Sequence, residues 1–377
     1  MSALVIDIVL GRALGRGGLE SVLTTVSQAL QQRGHRVRMF QFEPPQHPEW
    51  VSTLPEMHFY DPVAAGQERT FPGEVPIFRQ ALGYRRKILE LGPPDVLLAT
   101  HTPYLSLLAH LAVAVFGERR PPIISWLHGP AEAYGGGELL AYADGHLAIS
   151  KGVEASLRRY VSEGAPVFSI GNPVTREGLR QVARPKDRWE LLSIGRMDNL
   201  HKRLDVMFQA LARTQMNFRL TIIGDGPDRE ALERLAQELG LGARVRWVGW
   251  LDDPWSCVGE ASLLLLTSDV EGFGMVLVEA LARGIPVVAT RCSGPVEIVQ
   301  DGHNGWLFEP GRSDELAALL DRLARGHLQL PAQDVCVHSV ERYRTDAVID
   351  RMEEALCAVR ALYQPKAFPP FLGVAHC

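Results

Sequence analysis

The sequence has no excess of positive charge, no paired cysteine motif and no apolar run long enough to cross a membrane. Its net charge of -5 gives no general attraction for nucleic acid, which we therefore exclude as a partner. Its five cysteines are an odd number without C-x-x-C spacing, which favours free thiols and a reducing, cytoplasmic location. The longest apolar stretch, Tyr104 to Phe116, is shorter than the roughly 20 residues that span a bilayer and predicts a buried helix.

The N-terminal segment also lacks the features of a signal peptide. MSALVIDIVL has no basic n-region and no small-residue cleavage site, and Asp7 interrupts its apolar run. We predict a first strand there instead. The hydrophobic share of 46% and the charged share of 22% are those of a globular protein, and 377 residues are about right for two domains.

Short apolar runs alternate with helical periodicity along almost the whole chain, a pattern typical of βαβ units and a mostly parallel sheet. In the first half we predict a helix at Gly18 to Gln32 and strands at Ala3 to Leu10, Arg36 to Phe42, Asp95 to Thr100, Ile123 to Leu127 and Gly145 to Ile149. In the second half we predict strands at Glu190 to Ile194, Arg219 to Ile223, Val245 to Gly249, Ser262 to Thr267 and Pro286 to Ala289.

A chain breaker separates the two halves. Phe168 to Val174 (FSIGNPV) groups Gly, Asn and Pro and predicts a hinge. The predicted fold class is α/β, with two Rossmann-like doubly wound domains facing a central cleft. We place them at 1–170 and 171–345, with a C-terminal helix and tail at 346–377 that pack back toward the first domain. Open α/β sheets bind ligands beyond the carboxyl ends of their strands, so the loops there are the candidate site.

The loop Gly11 to Gly18 (GRALGRGG) follows a strand and opens a helix. Free N–H groups at such a helix start favour an anion such as phosphate, although a tight turn with no ligand would look the same. A dinucleotide fingerprint needs a third glycine where Glu20 stands. The same count from Gly224 and Gly226 reaches Arg229, so a nicotinamide or flavin enzyme is disfavoured twice.

Two later segments carry charge at the ends of strands. Arg196 and Lys202, in SIGRMDNLHKR, form a candidate diphosphate site or a solvated basic loop. Glu271 and Glu279, in EGFGMVLVE, would place one carboxylate in a loop and the other about two turns along a helix. These carboxylates could bind a hexose and a ribose through their hydroxyls, or face solvent on a capped amphipathic helix.

Those residues, in that order, resemble the group 1 retaining glycosyltransferases of the GT-B class. This family carries a Gly-Gly loop near its N-terminus, a G-R then K pair that opens the second domain, and a late E-x7-E motif. They are matched here by Gly17 and Gly18, by Arg196 and Lys202, and by Glu271 and Glu279. The resemblance covers most of the chain and is strongest from Trp189 to Pro310.

The resemblance implies a role for each matched residue. Arg196 and Lys202 would bind the donor diphosphate, Glu271 the donor hexose and Glu279 the ribose. The remaining roles go to backbone N–H groups of Phe273, Gly274 and Met275, to Trp250 and Leu251 in the base-binding loop GWLDDP, and to His128, which matches a histidine that faces the donor sugar. The resemblance also implies no metal and no cofactor beyond the UDP-sugar donor, despite Asp252 and Asp253.

Several phrases, among them ADGHLAIS (Ala143 to Ser150) and GWLDDPW (Gly249 to Trp255), are similar to lipopolysaccharide core galactosyltransferases that form α-1,6 linkages. This likeness implies UDP-galactose as donor and a glycan or lipid-linked glycan as acceptor. A UDP-glucose transferase for another surface glycan, a UDP-sugar epimerase or hydrolase, and a subunit without turnover are the alternatives. The chain departs from the commoner Lys-Gly ending by placing Arg203 after Lys202.

Two expectations concern mechanism and membrane. With no securely placed nucleophile, retention would proceed on the front face through an oxocarbenium-like state. The predicted helix Val75 to Leu91 carries Arg85, Arg86 and Lys87 opposite an apolar face of Ile77, Phe78, Ala81, Leu82, Ile88 and Leu89, and Arg119 and Arg120 add charge elsewhere in the first domain. This is a solvated helix face or a weak peripheral contact with the anionic cytoplasmic leaflet of the inner membrane.

Overall fold

The computed structural model describes residues 2–61, 76–175 and 178–363. The chain divides into two compact units, one from Met1–Pro173 with the segment that begins at Thr345, and the other from Val174–Arg344. Val75, at the start of the predicted basic helix, and the predicted tail beyond Tyr363 lie outside the described residues.

The first unit contains a seven-stranded, fully parallel sheet in the order β3-β2-β1-β4-β5-β6-β7. Its strands are β1 (Val5–Leu10), β2 (Arg36–Gln41), β3 (Met57–Phe59), β4 (Val96–His101), β5 (Ile123–Leu127), β6 (Gly145–Ala148) and β7 (Val167–Ser169). Its α-helices are α1 (Gly18–Gln32), α2 (Pro76–Leu91), α3 (Tyr104–Val113), α4 (Ala131–Tyr134), α5 (Lys151–Leu157) and the C-terminal helix α13 (Thr345–Leu362).

The second unit contains a six-stranded parallel sheet in the order β10-β9-β8-β11-β12-β13. Its strands are β8 (Trp189–Ile194), β9 (Phe218–Ile223), β10 (Val245–Gly249), β11 (Leu263–Leu266), β12 (Val287–Thr290) and β13 (Gly305–Phe308). Its α-helices are α6 (Asn199–Lys202), α7 (Leu204–Arg213), α8 (Arg229–Glu238), α9 (Met275–Ala282), α10 (Pro295–Ile298), α11 (Ser313–Ala324) and α12 (Gln333–Ser339).

The predicted fold class is confirmed: both sheets are parallel and doubly wound. Several central strands, such as β5, β11 and β12, are fully buried, because helices cover a parallel sheet on both faces. Each unit has its own apolar core, around Phe40, Tyr84 and Leu108 in the first and around Phe208 and Leu211 in the second. Among the described helices, none combines the length and apolarity needed to cross a membrane.

The C-terminal helix α13 belongs to the first unit, where it packs beside α1. Arg33 at the end of α1 pairs with Asp350 and Glu353, each at 2.6 Å. The His35 Nε2 atom lies 2.8 Å from the other oxygen of Glu353, and Arg351 donates to the Ile170 carbonyl. These polar contacts thus hold α13, the last described helix, against the first unit.

Not all the side chains of the basic helix α2 that reach solvent are the ones that the sequence predicted. Arg85 points inward and donates to the carbonyls of Ala112 and Leu111 at the end of α3, and Arg120 forms a buried two-pronged pair with Asp144. The predicted apolar face is also divided. Ile77, Ala81 and Ile88 are buried, whereas Phe78, Leu82 and Leu89 are 48%, 48% and 58% exposed.

A buried ion pair ties β1 to β2. Asp7, the residue that interrupts the first apolar run, is fully buried and accepts from Arg38 Nε at 2.6 Å and from the Tyr84 hydroxyl at 2.7 Å. Arg38 also donates to the carbonyls of Leu91 and Gly92. Burial raises the pKa of Asp7, while the Arg38 guanidinium opposes that shift. Removing one partner would leave a desolvated charge that nothing compensates.

We therefore expect Arg38→Met to lower the free energy of unfolding by about 3–5 kcal/mol, the usual cost of orphaning a buried charge. Urea denaturation measures this. Arg36→Met is the matched control, because Arg36 lies on the same strand but pairs with Glu56 at the surface, with 54% of its side chain exposed. That variant should lose under about 1 kcal/mol. Equal losses for the two variants would contradict the assignment.

Candidate functional site

The site in the second unit forms where the order of strands reverses. β8 lies between β9 and β11, so the loops that follow β8 and β11 leave the sheet side by side at its carboxyl end. Such a reversal is where open α/β sheets bind their ligands. The connection after β8, called the Lys202 loop below, carries Arg196 and includes the short helix α6, which ends at Lys202; the loop after β11 carries Glu271. The structure therefore brings these three predicted residues to one edge of the sheet.

Lys202 and Glu271 form an ion pair across the two loops. The Lys202 Nζ atom lies 2.5 Å from Glu271 Oε2, and 27% and 17% of the two side chains are exposed. The two loop backbones are fastened as well, because the Thr267 hydroxyl donates to the Lys202 carbonyl and the Asp269 N–H to the His201 carbonyl. These contacts fix the position of the pair, and its partial exposure leaves it accessible to a ligand.

Arg196 is the unpaired cation of this group. Its side chain is exposed and makes no hydrogen bond or ion pair with the residues that the structure describes. It lines a small recess at the end of the sheet together with Gly195, Lys202 and Thr267. A guanidinium beside a lysine provides both a bidentate and a point-charge contact for a phosphate.

The start of helix α9 lies next to Glu271. Phe273 is buried, Gly274 has the left-handed φ of 97° that a glycine adopts without strain, and Met275 is the first helical residue. The first N–H groups of a helix have no acceptor within it, so they attract an anion. The loop after β12 fixes this turn, because Ser293 Oγ and the Gly294 N–H both donate to the Glu271 carbonyl at 2.9 Å.

The glycines at 224 and 226 serve close backbone packing. A Cβ at Gly224 would lie 2.0 Å from the Gly195 carbonyl oxygen, and one at Gly226 would lie 2.4 Å from that of Met197. These glycines therefore allow the loop after β9 to lie directly against the loop that carries Arg196. This accounts for the G-x-G spacing without a dinucleotide.

Glu279 lies on α9 and accepts from the Trp255 indole N–H at 2.9 Å. Burial raises the pKa of Glu279, and the Trp255 hydrogen bond opposes that shift. Arg283 stacks on the Trp255 ring at 4.2 Å. The two residues predicted to contact the base follow β10, in the same connection as Trp255: Trp250 is 39% exposed and Leu251 is half-buried.

The two aspartates of GWLDDP have local roles. Asp252 accepts from the Trp250 indole at 3.4 Å, and Asp253 caps a short 3-10 turn by accepting from the Trp255 N–H at 3.0 Å. Within 2–61, 76–175 and 178–363, no group of three or more His, Cys, Asp or Glu side chains is placed to hold a metal ion.

His128 lies in the first unit, just after β5. Its Nε2 atom is buried and has no hydrogen-bond partner among the described residues. Burial, together with a smaller effect of the neighbouring His101, lowers the pKa of His128 to about 3. The imidazole is therefore neutral near pH 7 and can donate a hydrogen bond at one ring nitrogen and accept at the other.

His101, the neighbour of His128, is a candidate that the sequence did not single out. It ends β4, has the strained φ of 94° and packs edge-on against Tyr134 at 5.3 Å. Strained backbone at a residue other than glycine is concentrated at functional sites. Its only sequence signal is a polar residue at the end of an apolar strand.

The predicted anion loop of the first unit is partly filled by the chain itself. Glu20 Oε1 accepts from the N–H groups of Leu14 and Gly15 at 2.9 and 3.1 Å. Gly17 immediately precedes α1, and Gly18 is its first residue. A carboxylate thus already occupies part of the space in which we expected a phosphate.

Two family models match the chain. One, described as Glycosyltransferase Family 4, matches residues 16–178, and the other, Glycosyl transferases group 1, matches residues 175–333. The second match includes all the predicted donor-site residues from Arg196 to Glu279.

Similar proteins carry related names. A lipopolysaccharide 1,6-galactosyltransferase of Salmonella typhimurium is 35% identical over 59% of this chain and 63% of its own length. The Escherichia coli protein of the same name is 32% identical over 62% of this chain and 67% of its own length. The matched region thus spans about two thirds of each relative.

Solved structures share the fold. The apo form of the lipopolysaccharide outer core galactosyltransferase WaaB superposes with a TM-score of 0.79 at 26% identity, over 94% of this chain and 99% of its own. Anabaena HepE, solved with UDP-glucose, gives a TM-score of 0.75 at 18% identity over 94% of this chain and 100% of its own. The second likeness concerns the fold alone.

We expect Lys202→Ala and Glu271→Ala each to reduce turnover about 100-fold or more, the size seen when one preorganised charged contact is lost. Both side chains are partly exposed in loops, so their loss should cost little stability. Steady-state kinetics and thermal unfolding measure the two effects. Arg325→Ala is the matched control, since it breaks another ion pair of this unit, with Asp321. Near wild-type turnover in either site variant would refute the assignment.

Proposed function

Because the chain belongs to the group 1, family 4 glycosyltransferases, we propose that it transfers a hexose from a UDP-sugar to a hydroxyl group of a glycan. Galactose is the proposed sugar and a lipopolysaccharide core the proposed acceptor, since both curated relatives described above are named for that reaction. The observation that carries the proposal is the Lys202–Glu271 pair, held beside the unpaired Arg196 where the strand order reverses.

In this proposal the donor diphosphate binds between two sources of positive potential. Arg196 and Lys202 contact it from the loop after β8, and the first N–H groups of α9 contact it from the other side. These groups stabilise the negative charge that grows on the leaving diphosphate, and they are in place before reaction. No metal ion or cofactor is required by this arrangement.

Glu271 and Glu279 are assigned to the sugar and the ribose. The diphosphate competes with Glu271 for Lys202, which frees the Glu271 carboxylate to accept from hexose hydroxyls. Glu279 binds ribose hydroxyls once they replace the Trp255 indole as its hydrogen-bond donors. Trp250 and Leu251 would contact the base. In this proposal the donor replaces protein partners of Lys202, Glu271 and Glu279, and no residue has to change its charge.

The transfer is proposed to retain the anomeric configuration by a front-face route. The bond from the anomeric carbon to the diphosphate oxygen breaks as an oxocarbenium-like sugar forms, the acceptor oxygen bonds to the same face, and the acceptor proton passes to the departing diphosphate oxygen. The neutral imidazole of His128 is suited to hydrogen-bond a sugar hydroxyl, and Gly17 and Gly18 are assigned to substrate contact in the first unit. UDP-glucose remains the alternative donor, and an epimerase or hydrolase is the alternative activity.

The test incubates the protein with UDP-galactose, UDP-glucose and GDP-sugars, with and without truncated lipopolysaccharide cores. We expect a core enlarged by one hexose, formed fastest from UDP-galactose, and retained α configuration by NMR. Faster product formation from UDP-glucose would reassign the donor. Rapid release of UDP without an acceptor would favour a hydrolase, and an inverted product would refute the front-face route.

A weak membrane contact is proposed for the outer face of α2. Phe78, Leu82 and Leu89 are exposed there, and the exposed Arg86 lies on the same helix with Lys87, which pairs with Glu90 at 3.1 Å. Each basic residue near an anionic surface contributes on the order of 1 kcal/mol of binding free energy. Because fewer than the five predicted basic residues are available, the exposed apolar side chains must contribute more of the binding than the sequence predicted. A cytoplasmic enzyme could meet a lipid-linked acceptor in this way.

Co-sedimentation with anionic vesicles tests this contact. We expect wild-type protein to bind weakly, to bind less at high salt, and to lose most binding in the double variant Leu82→Ser and Leu89→Ser. Arg86→Ala should remove part of the salt dependence. The control is Val296→Ser, which changes an exposed apolar residue of the second unit that is 46% exposed. Equal binding by wild type and the double variant would remove α2 from the account.

A further inference from the structure

We propose that Arg203 is a positioning residue that ties the Lys202 loop to the Glu271 loop while the donor binds, an inference that rests on the proposed function. Arg203 stands between α6 and α7 with a left-handed φ of 48°. Glycine adopts this conformation freely, whereas a residue with a Cβ is disfavoured there. An arginine at this position therefore needs a compensating interaction.

The guanidinium makes that interaction with two aspartates at once. Its Nε and Nη2 atoms donate to the two carboxylate oxygens of Asp205, at 3.0 and 3.1 Å. Its Nη1 atom donates to Asp269 Oδ2 at 2.6 Å. The Asp205 contact is local in sequence, whereas the Asp269 contact crosses from the loop after β8 to the loop after β11.

The crossing contact lies next to the charged pair of the site. Arg203 follows Lys202 directly, and Asp269 precedes Glu271 by two residues. Two ion pairs, Lys202–Glu271 and Arg203–Asp269, therefore join the same two loops. Each pair orders the loop residues on which the other depends.

The two pairs have different fates when a diphosphate arrives. Lys202 turns toward the phosphate oxygens, so the Lys202–Glu271 pair opens and no longer holds the loops together. Arg203 makes three hydrogen bonds to two carboxylates, and a diphosphate would have to break these contacts to bind it, so the Arg203–Asp269 pair persists. Together with the hydrogen bonds from Thr267 to the Lys202 carbonyl and from Asp269 to the His201 carbonyl, it keeps Lys202 and Glu271 at the spacing that one UDP-sugar must satisfy. Arg203 thus acts on the donor through its neighbours without touching it.

The test measures UDP affinity by calorimetry, donor KM and kcat, and hydrogen exchange of the amides at 268–272. We expect Arg203→Ala and Asp269→Asn each to weaken UDP binding and raise the donor KM about tenfold, a change of about 1.4 kcal/mol. The loop amides should exchange faster in both. The double variant should lose no more than either single one, because both changes remove the same pair.

Three matched variants separate this role from others. Arg203→Gly relieves the backbone strain and also removes the ion pair. We expect it to bind UDP as weakly as Arg203→Ala, because the pair is lost in both. If backbone strain were the whole effect, Arg203→Gly would instead bind UDP at least as well as wild type. Asp205→Asn keeps the crossing contact and should change affinity less than twofold. Arg312→Ala breaks a remote bidentate pair with Asp314 and should change neither readout.

Each contrary result has one meaning. Unchanged loop exchange in Arg203→Ala, unchanged UDP affinity in Asp269→Asn, or equal effects of Asp205→Asn and Asp269→Asn would overturn the role of Arg203. If the wild-type protein binds neither UDP nor a UDP-sugar, the proposed function fails. Hydrogen exchange alone then tests whether Arg203 orders the two loops. Faster exchange of the loop amides in Arg203→Ala supports that role, and unchanged exchange refutes it.

Discussion

The site depends on one constraint of the sheet, which is that β8 and β11 are hydrogen-bonded neighbours although several elements separate them along the chain. Because the strands are parallel, both release their loops at the same end, and residues 69 positions apart meet at 2.5 Å as the Lys202–Glu271 pair. The loops after β9 and β12 then pack against these two. Gly224 lies against Gly195, and Gly294 donates to Glu271. Once the sheet has formed, the ends of these four strands already lie close together, so the cluster forms from local contacts.

The electrostatics of the site follow from how its charges are shared. Glu271 neutralises Lys202, Asp205 and Asp269 neutralise Arg203, and Arg196 is left exposed in the recess. A site that held several adjacent cations without partners would be strained by their repulsion before the donor arrived. Pairing removes that repulsion. On the proposed function, a diphosphate would restore the positive potential by displacing a carboxylate, and the released carboxylate would then accept hydrogen bonds from sugar hydroxyls.

The sequence predicted the parts of this arrangement that run along the chain. The central strand β5 was predicted with the observed bounds because an apolar run buried on both faces is visible by itself. The edge strands β3 and β7 have three partly buried residues each and leave no such run. Contacts between distant residues, such as Asp7 with Arg38 or Arg85 with the end of α3, were missed because spacing along the chain does not reveal which strand lies next to which.

The two units share a fold but treat the same position differently, and this difference favours one of them for the nucleotide phosphates. In the first unit β1 and β4 flank the reversal of strand order, and the loop after β1 gives the N–H groups of Leu14 and Gly15 to the carboxylate of Glu20. A phosphate there would have to displace a tethered anion and then lie beside it. In the second unit the equivalent loop after β8 carries the exposed Arg196, whose side chain has no hydrogen-bond or ion-pair partner within the described part of the chain, and α9 begins beside it without an acidic residue in its first turn. On the proposed function the diphosphate would therefore bind in the second unit, where displacing Glu271 frees Lys202 beside Arg196, whereas Glu20 in the first unit accepts only from the backbone N–H groups named above.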